Sequence, residues 1–222
     1  MSGPFEPASA GGSRFAAATQ PGPPVSAHPS AAAPRSRKVT SVKLVVAGGF
    51  GVGKTTFVSA VSEIPPLTTE AAMTTESKDV DDTTLVNAKV TTTVAMDFGR
   101  ITVDDTLVMY LFGTPGQERF AFMWDDLCDG ALGAVVLADT RRLADSFVAL
   151  DYFEARNTPF VVGVNHFVGS YHYPIPEVRE ALGVAPEIPV IDCDARNRES
   201  VKVGLITLLQ HVYELRRAAL VR

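Results

Sequence analysis

The run Gly48-Gly-Phe-Gly-Val-Gly53-Lys54-Thr55 fits the spacing G-x-x-x-x-G-K-[ST] in full. The chemistry of that spacing is capture of a phosphate chain. Glycines let backbone N–H groups close on phosphate oxygens, the lysine brings a point charge to the outer phosphates, and the following hydroxyl is placed to ligate Mg²⁺. On this reading Gly48, Gly51, Val52, Gly53, Lys54, Thr55 and Thr56 line the phosphates, and Thr55 is also a metal ligand. Other reactive residue types carry less. Cys128 and Cys193 have no C-x-x-C spacing, and His28, His172 and His211 sit at no metal-ligand spacing, so no zinc site is expected.

A phosphate loop needs a strand before it and a helix after it. Val42–Ala47 reads as a buried strand and Lys54–Val61 as a helix. Further strands are expected at Thr92–Phe98 continuing to Val103, and at Leu107–Phe112, Leu132–Ala138, Phe160–Asn165 and Pro189–Cys193. Helices are expected around Phe120–Cys128, Leu143–Glu154, Pro176–Leu182 and Val201–Val221. Short apolar runs alternating with helical stretches predict an α/β fold. The expected sheet has six strands, mostly parallel, with helices on both faces. Asp104-Asp105 marks one hairpin turn, hence one antiparallel edge strand. Residues 62–90, rich in Thr and Asp around Pro65-Pro66, read as a long loop.

The 222 residues are 46% hydrophobic and 20% charged, which excludes a collagenous, coiled-coil or wholly disordered chain. Seven of the fifteen prolines fall in residues 1–38, where Phe5, Phe15 and Val25 are the bulky apolar side chains. Residues 1–40 therefore read as a disordered tail, and 41–222 as one domain. The formal charge of -5 divides unevenly: Glu6 faces Arg14, Arg35, Arg37 and Lys38 in the tail, leaving the body strongly acidic. No general affinity for nucleic acid is expected. Two cysteines and no long apolar run fit a cytoplasmic setting, with any membrane contact peripheral.

Beyond the phosphate loop, Leu111-Phe-Gly113-Thr-Pro-Gly116-Gln117-Glu118-Arg119-Phe120 resembles the second switch of Ras-like small GTPases, and Thr92-Thr93-Val-Ala-Met-Asp97-Phe98 resembles their first. Asn165-His166-Phe-Val168 stands where that family has N-K-x-D, and Cys193-Asp194-Ala195-Arg196 where it has S-A-K. The resemblance implies a P-loop NTPase fold, bound GTP or GDP with Mg²⁺, and slow hydrolysis of GTP. It assigns Gly116 to the γ-phosphate, Gln117 to the attacking water and Thr93 to Mg²⁺. Asn165, His166, Asp194, Ala195 and Arg196 fall to the base. More narrowly, TTTVAMDFGRI, YLFGTPGQERF and IDCDARNRES resemble the actinobacterial GTPases encoded in conservon operons, relatives of the bacterial polarity GTPases. That likeness implies a roadblock/LC7-type partner, a sensor-kinase-like partner, and membrane contact through them.

Three positions depart from the Ras-like pattern. Gly113 replaces the Walker B aspartate, with Asp97 and Asp139 as strand-associated substitutes. Phe50 stands beside the γ-phosphate position, where a small residue is usual, and should slow hydrolysis. Val168 replaces the aspartate that accepts from the guanine base. A buried donor pair without acceptors costs about 1–3 kcal/mol, so guanine preference should weaken. Arg100, Arg141 and Arg142 read as solvated charges, so no arginine acts in cis. The apolar segment around Phe120, Phe122 and Trp124 is either core packing or an effector surface. Two other functions stay open: an interaction module with negligible hydrolysis, and an ATPase of the same fold.

Overall fold

The computed structural model describes residues 38–65, 69–74 and 91–221. The apolar run after residue 40 forms β1 (Thr40–Gly48), whose side chains alternate between two cores: Leu44 and Val46 enter one, Val45 and Ala47 the other. A strand covered on both faces reads as continuous apolar sequence, which is why this one is legible. The chain continues through α1 (Lys54–Val61), β2 (Thr69–Thr74), β3 (Thr91–Asp104), β4 (Leu107–Gly113) and α2 (Trp124–Cys128). It then forms β5 (Gly133–Ala138), α3 (Phe147–Ala155), β6 (Phe160–Asn165), α4 (Ile175–Leu182), β7 (Val190–Cys193) and α5 (Arg198–Leu220). Short 3-10 segments, Glu118–Met123 and Leu143–Ser146, lead into α2 and α3.

The sheet order is β2-β3-β4-β1-β5-β6-β7. Strands β4, β1, β5, β6 and β7 are parallel, and β3 runs antiparallel to β4 as the hairpin signal predicts. Asp104 makes that turn by accepting from the Thr106 N–H at 2.6 Å and hydroxyl at 2.7 Å. All six expected strands are present, and a seventh, β2, lies inside the stretch read as a loop and pairs antiparallel with β3. Its sequence TEAAMT has no apolar alternation. Backbone pairing with the long β3 defines it, and nothing in residue type announces it. The rest of that stretch, 66–68 and 75–90, and the tail through residue 37 lie outside the described residues.

One core packs Phe57 of α1 and Leu205 and Leu208 of α5 against Leu111 and Val135; the other packs Trp124, Leu150, Phe153 and Val178 against Val136 and Val162. From the central β1 the chain crosses first to the β4 side and later to the β5 side. The end of β1 is thus a topological switch point, where open α/β sheets bind ligands. Among the described residues no helix is long and apolar enough to cross a membrane.

Candidate functional site

The phosphate loop leaves the end of β1 and turns at Gly53, whose left-handed backbone (φ 106°) precedes the first residue of α1. No side chain caps this helix start, and its first turn holds no acidic residue. Its free N–H groups and dipole therefore face the loop, an arrangement suited to an anion. Lys54 is buried, and its Nζ donates to the carbonyls of Gly48 at 2.9 Å and Gly49 at 2.7 Å. Burial pushes the Lys54 ammonium down to about 8, against an opposing pull from Asp97. Gly116, after β4, approaches so closely that a Cβ there would stand 2.5 Å from the same Nζ. Lysine, loop and the 114–117 segment thus meet at one point.

The carboxylate beside Gly113 belongs to the neighbouring strand. Asp97 of β3 is the register partner of Gly113, and its Oδ2 accepts from the Thr55 hydroxyl at 2.8 Å. A Cβ on Gly113 would lie 2.9 Å from both the Asp97 Cβ and Oδ2, so the Asp97 side chain fills the space a β4 side chain would take. Asp139, the other candidate, is buried at the end of β5 and bound by Arg141, with Nη2 to Oδ2 at 2.7 Å. It belongs to a different contact.

Asn165, at the end of β6 and nearly fully buried, ties the site together. Its Nδ2 donates to the Val52 carbonyl at 2.8 Å, and its Oδ1 accepts from the Ala195 N–H at 2.9 Å. One side chain therefore joins the phosphate loop, the β6–α4 loop and the β7–α5 loop. The Ala195 N–H, expected to face a base, already has this partner. Asp194 and Arg196 bind one another through paired contacts at 2.8 and 2.9 Å, and the arginine's hydrogen bonds hold the Asp194 carboxyl below its ordinary range. His166 donates to or accepts from Asp192 at 2.8 Å and stacks on His172. Phe167 lies under the Arg141 guanidinium, and Val168 is 87% exposed.

Thr56 lies exposed in the first turn of α1. Thr93 lies in β3 opposite Ala72, with its side chain outside the described residues. Gln117 is exposed and lines a cavity of about 160 Å³ with Phe50, Gly116, Trp124 and Asp145. Trp124 resolves as core: it is 4% exposed, lies edge-on to Tyr152 and donates to the Pro115 carbonyl at 3.3 Å, while Phe122 is exposed. Arg142, read as a solvated charge, is exposed and also reaches the loop: its Nη2 donates to the Phe50 carbonyl at 2.6 Å while Nη1 lies 3.6 Å from Asp145. Residue spacing held no sign of this, because the contact spans 92 positions.

Loop, helix start, buried lysine and sheet order define a P-loop nucleotide-binding protein with the fold of a GTPase G-domain. Residues 46–215 match the model of the family described as conserved hypothetical ATP-binding proteins, and the chain belongs to that family. It is 29% identical over 130 residues to an uncharacterized protein of Methanocaldococcus jannaschii, covering 58% of this chain and 71% of that one. Among solved structures it resembles the cytosolic domain of the Thermotoga maritima FeoB iron transporter in apo form (TM-score 0.55, 17% identity, 78% of this chain), spanning 64% of that domain's length. It also resembles the FeoB G-domain from Methanococcus jannaschii (TM-score 0.54, 11% identity), covering 79% of this chain and 99% of that one.

Proposed function

We propose that the protein is a guanine-nucleotide switch that binds GTP or GDP with Mg²⁺ and hydrolyses GTP slowly. The observation that carries this reading is the meeting of Lys54 with Gly116. A terminal phosphate drawn to the lysine lies against the backbone that begins the 114–117 segment, so that segment is placed to report whether the γ-phosphate is present. Gln117 follows directly and orients the attacking water. The phosphate loop and the start of α1 hold the phosphates, and Lys54 exchanges its two carbonyl partners for phosphate oxygens. Asn165 keeps phosphate and base loops in one frame, with His166, Asp194, Ala195 and Arg196 around the base.

The residues fit Mg²⁺. Thr55 Oγ1 and Asp97 Oδ2 lie 2.8 Å apart at the head of the phosphate loop, a hydroxyl and a carboxylate of the hard-oxygen kind that this ion takes. Thr93 of β3 joins them in this proposal. When bound, the ion neutralises charge on the outer phosphates. The Phe50 ring is exposed at the loop and Arg142 holds the Phe50 carbonyl, so an activating side chain approaching the outer phosphate would first have to displace them, in line with a slow intrinsic rate.

A second reading, ATP in place of GTP, is favoured by Val168, which offers no acceptor to a guanine edge. Displacement of a fluorescent nucleotide by GDP and by ADP, followed by single-turnover phosphate release from GTP and ATP, decides among the functions. Tighter GDP binding with slow GTP turnover is expected. Equal displacement defeats the guanine assignment, and no release over hours makes the protein an interaction module. The resemblance to conservon-encoded GTPases adds roadblock/LC7-type and sensor-kinase-like proteins as partners to test in the GTP-loaded state.

A further inference from the structure

Sequence spacing placed no zinc site in this chain, but folding brings three ligating side chains together beside the base loops. His166 begins the connection after β6, His172 lies near its end, and Asp192 is in β7, opposite Val164 in the parallel ladder. One ligand atom from each lies within 4.8 Å of the others. His166 Nε2 already shares a hydrogen bond with Asp192 Oδ1 at 2.8 Å, and the two imidazoles stack with centroids 3.4 Å apart and planes 16° from parallel. Ligands about 2.0–2.1 Å from a tetrahedral Zn²⁺ stand roughly 3.4 Å apart; stacked rings hold their in-plane lone pairs nearly parallel, so the exposed His172 ring must turn out of the stack to aim a nitrogen at an ion held by His166 and Asp192.

We propose that His166, His172 and Asp192 form a binding site for a borderline divalent transition-metal ion of the Zn²⁺ class. The ion takes the place of the proton between His166 and Asp192 and adds the second imidazole. Two nitrogens and one oxygen select such an ion over Mg²⁺, which keeps oxygen ligands and its waters. The two cation sites therefore do not compete. The His166 side chain is 15% exposed and that of Asp192 63%, so one side of the cluster is covered and the other opens to water, as in a three-ligand site with an open position.

The site bears on nucleotide binding because His166 directly follows Asn165, whose side chain spans the phosphate and base loops. A metal bridging the β6–α4 connection to β7 would fix the backbone from which Asn165 projects. The metal site itself rests on no assignment of the nucleotide.

The test uses the untagged full chain, stripped with chelator, in saturating Mg²⁺. ZnCl₂ titrated by calorimetry should bind at one ion per chain, and Co²⁺ should give visible ligand-field absorption from a site of low coordination number. His172→Phe, which keeps the stack and removes a ligand, and Asp192→Asn should each weaken Zn²⁺ by at least about tenfold, the loss seen even for outer partners of a metal. Both positions are exposed, and circular dichroism checks that the variants fold. Unchanged Zn²⁺ affinity in His172→Phe/Asp192→Asn, displacement of Zn²⁺ by millimolar Mg²⁺, or no saturable binding to the unsubstituted chain would overturn the proposal.

Discussion

Moving the acidic side chain across the sheet is a strong test of the proposed Mg²⁺ site. Asp97 and Gly113 are register partners, and a Cβ at 113 would come within 2.9 Å of the Asp97 carboxylate. In Gly113→Asp two carboxylates contend for one space; overpacking of that kind costs about 1–3 kcal/mol, or roughly 2–12 °C in Tm for a domain of this size. Asp97→Ala has a different fault. It removes the acceptor from the Thr55 hydroxyl and the one carboxylate at that point. A hydrogen bond to a charged group contributes about 1.5–3 kcal/mol, and the lower figure suits this exposed pair. Loss of a carboxylate that would hold Mg²⁺ directly or through water should also raise the Mg²⁺ concentration needed to retain nucleotide by at least about tenfold. Asp97→Ala/Gly113→Asp carries one carboxylate again, now on β4. Its melting temperature should recover most of the loss in Gly113→Asp, and its Mg²⁺ requirement should return toward that of the unaltered chain. The assays are thermal melts without nucleotide and release of a fluorescent nucleotide against Mg²⁺. Additive losses in the double variant, or an Mg²⁺ requirement unmoved by Asp97→Ala, would refute the argument.

Two further outcomes follow from the same site. Lys54 holds its proton less firmly when folded (about 8) than in the unfolded chain (about 10.5), so stability without ligand should rise as pH climbs through that window. Phosphate restores the charged form: nucleotide binding should take up about half a proton at pH 8 and about a tenth at pH 7, and weaken above pH 8. Calorimetry in buffers of different ionisation heat measures this, and zero uptake at pH 8 would contradict it. Val168→Asp should raise the preference for GDP over ADP by roughly ten- to a hundredfold if the base loop lies as proposed, read by the same displacement assay.

Contiguous features were legible before folding. The Val42–Ala47 run, the loop to Thr55 and the helix to Val61 each depend on neighbours in sequence, and the boundaries of that helix and of Phe160–Asn165 match the structure. What depends on lateral register was not legible. Asp97 and Asp139 both stood near strand ends, and only the β3–β4 ladder shows which one adjoins Gly113. The cluster of His166, His172 and Asp192 needs a loop folded against a parallel neighbour, a contact between 166 and 192 that no helical or strand period encodes. Arg142 is similar: two adjacent arginines look alike as letters, yet one pairs with Asp139 and the other reaches the phosphate loop. β2 escaped because it is defined by backbone pairing with β3, which its residue types do not announce.

The bare start of α1 bears on the life of the protein in a cell. Among the described α-helices only α5 has a side-chain cap, from Asn197; α1 begins at a glycine with a buried ammonium beside its uncapped start, where an anion can serve both. The nucleotide completes the structure as a removable part. A ligand in thousandfold excess over its Kd adds about 4 kcal/mol to stability, a large share of what holds a typical domain folded. The abundance of the protein, its resistance to proteases and its recovery on purification should therefore rise and fall with the supply of nucleotide, and chains emptied for long should be the first degraded.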